Sequence, residues 1–550
     1  MENKSEKERQ FAGIHQLSLR SIIIGMLGSC IITASSMYVA LRMSSLPWPT
    51  IFVAILSMAL LKMLGKTTFN EINITQTAMS AGAMVAGGLA FTLPGLWITG
   101  IWKDTSLNTA HFLLVLSIGF AGMLLGTVLT YFLRPRFVEG EKLPYPIGTA
   151  AAETIATGDE GGKKSAVLFG TMALSAAVTY MRDNLGWIPS AITSKTLYAK
   201  NIFAGIWVSP MAIGIGYIIG ALYTGLWFIG AILSYLFIIP LGTYFKLFPS
   251  AAEAVTFKNT AGIGLMVGTG IGILISFIIN GLKERKVDSI KTDNSKSGSQ
   301  KLSSLSKLLV FICVAAAFVL SILVKLSAAA SVLLILGAFI TSAMAATITG
   351  QTGINPMEIF GIIVLLAIRL FVHVDTAGAF FIAACVAVSC GYAGDLLNEY
   401  KAGYILGTNP KAQLIGQIAG GIVGTIVASA ALFAIIGQFG GVGSDKLPAG
   451  QAFAVSQMVN GIGDPAVFTI ALILGMVLYL FKVPTMTLGL GMYLPFEISS
   501  AVFLGGLIRF IVDKARPKAT ETGNIAASGF LGGEGITGVA VAIIKMVAGS

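Results

Sequence analysis

Residues 390–410 read CGYAGDLLNEYKAGYILGTNP and set Asp395, Glu399 and Lys401 between long apolar runs. If 395–401 is helical, Asp395 and Glu399 share one face at i,i+4 spacing. Like charges that close favour a single shared proton. Lys401 would then offset the remaining charge or hold a substrate carboxylate, while Tyr392, Tyr400 and Tyr404 add apolar bodies with polar tips. The same residues also fit a cytoplasmic turn between two spans, punctuated by Gly403 and Pro410. Other lone acids stand out because burying a charge in lipid is costly, which makes an intramembrane ionisable group a functional candidate. Glu153 follows PIGTAAA, and Glu497 follows Leu494-Pro495-Phe496. Glu253 and Glu534 sit in two Ala/Gly-rich stretches that echo each other, SAAEAV and LGGEGI. A carboxyl that takes up and releases a proton is what a proton-coupled carrier requires. The plainer role for each is a helix N-terminal acid held by the helix dipole.

No motif supports an enzyme. GDEGGKKSA (158–166) has three residues between Gly158 and Gly162, where a phosphate-binding P-loop has four between its glycines. His15, His111 and His373 lack metal-ligand spacing, and no dense Asp cluster is available for Mg²⁺. Neither a metal nor a cofactor is expected. Cys30, Cys313, Cys385 and Cys390 lie in or beside apolar runs without a C-x-x-C partner, which predicts buried small hydrophobes and no disulfide.

The elements that must position these groups are membrane helices. Of 550 residues, 55% are hydrophobic and only 11% charged, against about 25% charged in a soluble domain. Apolar segments of spanning length recur from end to end, as at 21–41 and 113–133. The net charge of +11 resides mainly in loops and termini, so it marks cytoplasmic retention and not nucleic acid. The stretch 281–307 holds seven Lys or Arg among many Ser, and reads as a cytoplasmic linker between two membrane halves. The expected organisation is a cytoplasmic N-terminus (1–20) with no cleavable signal, a first transmembrane half (21–281), the linker (282–304) and a second half (305–550). Each half yields about eight crossings, although Lys514, Arg516 and Lys518 then fall outside, against the basic bias. The fold class is an all-α polytopic membrane protein, with about 16 transmembrane helices in two related halves. Loop 97–109 is expected outside.

Four apolar pieces are short and interrupted by Pro or Gly: 143–157, 248–257, 348–360 and 482–497. Broken, re-entrant segments in both halves point to a transporter's binding site, because irregular backbone at membrane depth lines cavities. Gly264, Gly268 and Gly272, and Gly416, Gly420 and Gly424, repeat at four-residue spacing and predict close helix packing.

LPYPIGTAAAETI, GDLLNEYKAGYILGTNP and YLPFEISSAVFLGGLI resemble recurring motifs of the oligopeptide transporter (OPT) family, in its prokaryotic and yellow-stripe-like branch. Tyr145, Pro146, Gly148 and Thr149 match the first motif; Asp395, Leu396, Lys401, Gly403 and Tyr404 match the second. With the Gln351/Asn355/Pro356 break included, the resemblance runs over most of the chain. The NPG and KIPPR motifs of the eukaryotic peptide branch are absent, with only Asn409-Pro410 hinting at the first. The resemblance implies proton-coupled import of short oligopeptides or peptide-like amino-acid derivatives across the cytoplasmic (inner) membrane. Alternatives are a metal–chelate importer on the same fold and, in a different class, a passive channel. On this reading Tyr145, Gln351, Asn355 and Tyr392 supply hydrogen bonds to substrate, and Lys401 pairs with a carboxylate or sits at the cytoplasmic gate. Glu153, Asp395, Glu399 and Glu497 are the proton-coupling candidates, and Gly148, Gly353, Pro356 and Pro495 the hinges. The partners are a small-molecule substrate, protons and the lipid bilayer. The oligomeric state is open, a homodimer among the options.

Overall fold

The computed structural model describes residues 16–44, 46, 50–156, 161–198, 201–288, 304–352, 355–444, 446–460 and 464–548. Most of the expected N-terminal segment and linker, together with Gly353 and the side chain of Gln351, lie outside the described residues. The described chain is almost wholly helical. Its strands, Ala191–Thr193 and Gly205–Trp207, form one small antiparallel ribbon. Seven helices among the described residues are long and apolar enough to cross a membrane. Shorter apolar helices, such as Pro210–Ile219 and Pro465–Leu480, accompany them.

The chain divides into two compact units, each drawing on segments from both sides of the expected linker. One comprises residues up to 176, 302–459 and 535 onward; the other comprises 177–301 and 460–534. The first contains α1 (Leu19–Met43), α2 (Thr50–Met63), α3 (Phe69–Ala90), α4 (Thr109–Arg134), α5 (Pro146–Ala156), α6 (Ser304–Leu323), α7 (Ala328–Thr352), α8 (Met357–Arg369), α9 (Thr376–Leu406) and α10 (Pro410–Gln438). Local chemistry sets the helix starts. Ser18 forms a capping box on α1, Thr68 caps α3, Asn108 caps α4 and Asp375 caps α9. Asn409 caps α10 with Pro410 in its first turn.

α9 is the axis of this unit: α3, α4, α5, α7 and α8 all pack on it. It runs unbroken through 395–401 and ends only where Gly407 takes φ +73°. The turn reading of that stretch is therefore displaced by the helical one. Gly403, offered as punctuation, lies inside the helix, and the chain turns at Gly407 through Asn409. α3 and α10 touch backbone to backbone, as the glycine repeat predicts: a Cβ on Gly420 would lie 2.6 Å from the Ala78 carbonyl carbon.

In the second unit Ala251–Asp288 packs along Pro465–Leu480 by the same device, with a Cβ on Gly268 falling 2.8 Å from Leu472 C. That helix absorbs 251–257, so the expected short segment at 248–257 instead opens a long helix. The other three breaks are present. α5 has only 11 residues, α7 ends at Thr352 before α8 starts at Met357, and Thr485–Tyr493 ends before a helix restarts at Phe496.

Candidate functional site: buried acids on the central helix

Two of the broken segments meet beside α9. Tyr145, just before α5, is fully buried with φ +42°. Its N–H donates to Gly350 O (2.8 Å) and its hydroxyl to Ala346 O (2.9 Å), both on α7. Lys401 Nζ donates to Leu143 O (2.9 Å), and Gly148 N–H to Asn398 Oδ1 (3.1 Å). A Cβ on Gly148 would overlap the Asn398 carbonyl and lie 2.8 Å from Asn398 Cα. The entry to α5 is thus stitched to α7 and α9, with Gly148 allowing the contact. The polar groups of Tyr145 and Lys401, expected at substrate, are engaged with backbone here.

Asn355 in the α7–α8 break donates from Nδ2 to Cys390 O (3.0 Å) and to Asp395 Oδ2 (2.8 Å). Pro356 caps α8, and Glu358 in its first turn interacts electrostatically with Asp395. One turn further along α9, Glu399 Oε1 accepts from Ser80 Oγ on α3 (3.1 Å). Asp395 and Glu358 are each 6% exposed, and Glu399 is 0% exposed. The Tyr392 ring is fully enclosed; its hydroxyl lies against Gly421 and makes no hydrogen bond among the described residues.

The charge balance of these acids is unusual. Two other acids are equally buried, and both are paired. Glu71 takes Arg20 Nε at 2.6 Å. Glu534 lies 2.9 Å from Arg182 Nη1 and accepts from Ser209 Oγ and the Met211 N–H. Among the described residues Glu358, Asp395 and Glu399 form no ion pair. An ionised carboxylate held without a countercharge in a low-dielectric interior is expensive. Two on α9 and a third at the start of α8 suit groups that exchange protons.

The remaining sequence candidates lie elsewhere. Glu153 is on an exposed face of α5, and Glu253 is exposed in the second unit. Glu497, also in the second unit, accepts from the Tyr198 hydroxyl just after Pro495, which caps its helix. Gly353 and the Gln351 side chain fall outside the described residues. Sequence reading missed Glu358, although it stands three residues after Asn355 behind a proline, where a helix restarts. It also missed Ser80, Asn398 and Gln413, neutral polar residues in apolar helices whose partners lie far along the chain.

Residues 16–545 match the family model described as OPT oligopeptide transporter protein. The chain is 28% identical to a Haemophilus influenzae protein named as a candidate oligopeptide transporter, over 92% of each. It is also 32% identical, over 81 residues, to a rice protein (Oryza sativa subsp. japonica) named as a candidate metal-nicotianamine transporter. That second match covers 14% of this chain and 12% of the rice protein.

Proposed function

We infer function from family and geometry together: the chain belongs to the OPT oligopeptide transporter family, so it is a multi-pass membrane transporter and not an enzyme. We propose that it is a proton-coupled secondary transporter importing short oligopeptides or peptide-like derivatives across the cytoplasmic membrane. The proposed frame has about 16 helices and a cytoplasmic N-terminus. One observation supports the coupling: Glu358, Asp395 and Glu399 are buried with no cation paired to them among the described residues, while Glu71 and Glu534 have theirs. A carrier must neutralise its coupling site to return it through a dry barrier. Substrate binds where the broken segments meet, with Asn355 and Tyr392 nearest the acids.

The short rice match supports a second substrate class, a pre-chelated metal, which needs no His or Cys ligand set of its own. The test is uptake into proteoliposomes with an imposed pH gradient, offering a peptide mixture and metal chelates side by side. Accumulation of peptide above its external level, abolished by a protonophore, is expected. Equal flux with and without the gradient would turn the reading toward a passive channel. For topology, a cysteine in 284–302 should label from the cytoplasm and one in 97–109 from outside; labelling from one side refutes the frame.

A further inference from the structure

Arg134 closes α4, where the chain passes into a π-helical turn, Pro135–Gly140. Turns of this kind recur at functional sites. The residue is 4% exposed. Its Nη1 donates to Glu139 Oε1, while Nε and Nη2 are buried and have no hydrogen-bond partner among the described residues. Nε–H and the neighbouring Nη2–H point the same way and form the side-on fork that matches the two oxygens of a carboxylate. Two other arginines of this chain use the fork in that way. Arg20 grips Glu71 through Nε (2.6 Å) and Nη2 (2.5 Å). Arg182 grips Asp183 through Nε (2.7 Å) and Nη2 (2.6 Å). In Arg134 the same pair of donors is buried and unpartnered.

The acids of the adjoining turn are engaged otherwise: Glu139 with Nη1, and Glu141 with Arg136 Nε (2.7 Å). Tyr400 on α9 interacts electrostatically with Arg134, yet its hydroxyl donates to Gln417 Oε1 (2.7 Å). Donors withdrawn from water and left unpaired are costly, so a buried fork of this kind suits a ligand that fills it. Its position is that of the broken segments. Phe137 and Val138, in the turn after Arg134, pack in one apolar cluster with Tyr145, Ala346, Leu397 and Tyr400. The Phe137 carbonyl accepts from the Leu143 N–H (2.9 Å), and Leu143 O holds Lys401. Arg134 therefore adjoins the junction of α5, α7 and α9.

We propose that the Arg134 fork binds the terminal carboxylate of the transported peptide. An oligopeptide carries that group whatever its side chains, so a single fork serves many sequences. The proposal rests on the importer reading above and names the part of the substrate that is held. Binding is read by thermal unfolding of the purified full-length protein, without a gradient, against a tripeptide mixture and the same mixture amidated at its C-terminus. A ligand bound only by the folded state raises the midpoint. The free acids should do so at concentrations at least about tenfold lower than the amides, the difference expected of one charged hydrogen bond. Arg134→Lys keeps a charge beside Glu139 but removes the fork, and should lose that difference. Glu139→Gln keeps the test open if the lysine variant does not fold: freed of its internal acid, the guanidinium should bind the free acids more tightly. Equal stabilisation by acids and amides overturns the site, as does a preference for acids that survives in Arg134→Lys, or an unchanged affinity in Glu139→Gln. Sulfate raising the midpoint as strongly as the acids also overturns it, since the fork then takes any free oxyanion. Uptake separates the two readings. Amides accumulated as well as acids refute the fork and leave the importer, whereas acid-specific stabilisation without accumulation refutes the importer and leaves the fork.

Discussion

Gly148→Ala adds one methyl group where α5 crosses α9. In the structure that carbon overlaps the Asn398 carbonyl oxygen and lies 2.7 Å from Asn398 C and 2.8 Å from Cα. Carbon atoms pack at about 3.5–4.0 Å, so α5 must retreat by about 1 Å or tilt. The neighbour is helix backbone and cannot rotate away as a side chain would. Overpacking of this kind costs about 1–3 kcal/mol. The same displacement stretches the Gly148 N–H bond to Asn398 Oδ1; orphaning a buried polar group adds about 1–3 kcal/mol. The sum, about 2–6 kcal/mol, is a large share of an ordinary folding free energy. Because the contact is with helix backbone, transport and folding fall together. The assay pairs thermal unfolding of the purified variant with uptake into proteoliposomes. A lowered midpoint with depressed uptake is expected, and Gly148→Leu should be worse. A Gly148→Ala protein with an unchanged midpoint and full uptake would refute the claim that α5 docks on α9 through this glycine.

Further outcomes follow from the acids and their surroundings. Glu358→Gln, Asp395→Asn and Glu399→Gln mimic the protonated state one at a time; at least one should lose gradient-driven accumulation yet keep substrate exchange, and full accumulation in all three sinks the coupling scheme. The same replacements at Glu153 and Glu497 test the remaining candidates. Tyr392→Phe removes a hydroxyl with no partner among the described residues, so stability should change by less than about 0.5 kcal/mol in denaturant unfolding; a larger loss would expose a partner, and reduced uptake alone would assign the hydroxyl to substrate. Arg182→Met leaves Glu534 buried and unpaired, a loss of about 3–5 kcal/mol, and adding Glu534→Gln should recover part of it. An unshifted melting curve for the single variant would refute the pairing.

The membrane class was legible because apolar runs of spanning length leave few alternatives. The breaks at Pro146, Pro356 and Pro495 were legible because proline interrupts helical hydrogen bonding. The segment at 248–257 misled: Ala and Glu are strong helix formers, and nothing after Pro249 stops the helix that begins there. At 395–401 the charges suggested a loop as readily as a helix, since sequence alone does not reveal that Asn355, Ser80 and Leu143 wait with hydrogen bonds for them. Pairing was the least visible level. Glu534 looked like Glu253, yet one meets an arginine over 300 residues away and the other is exposed. Glu358 passed unnoticed because its significance rests on Asp395, a neighbour only in the folded chain.

α9 has 31 residues, about 46 Å of helix, where a bilayer core needs only about 30 Å. Its whole apolar window is buried in protein. Bilayer thickness therefore has no direct grip on this helix. The apolar side chains left outside belong to helices such as α6, with Phe311 and Leu323, and α7, with Leu336 and Ile340. Hydrophobic mismatch is absorbed by tilting such outer helices, at fractions of a kcal/mol per Å. Asp395 and Glu399 are themselves enclosed by protein, so their surroundings are held constant across membranes of different lipid chain length.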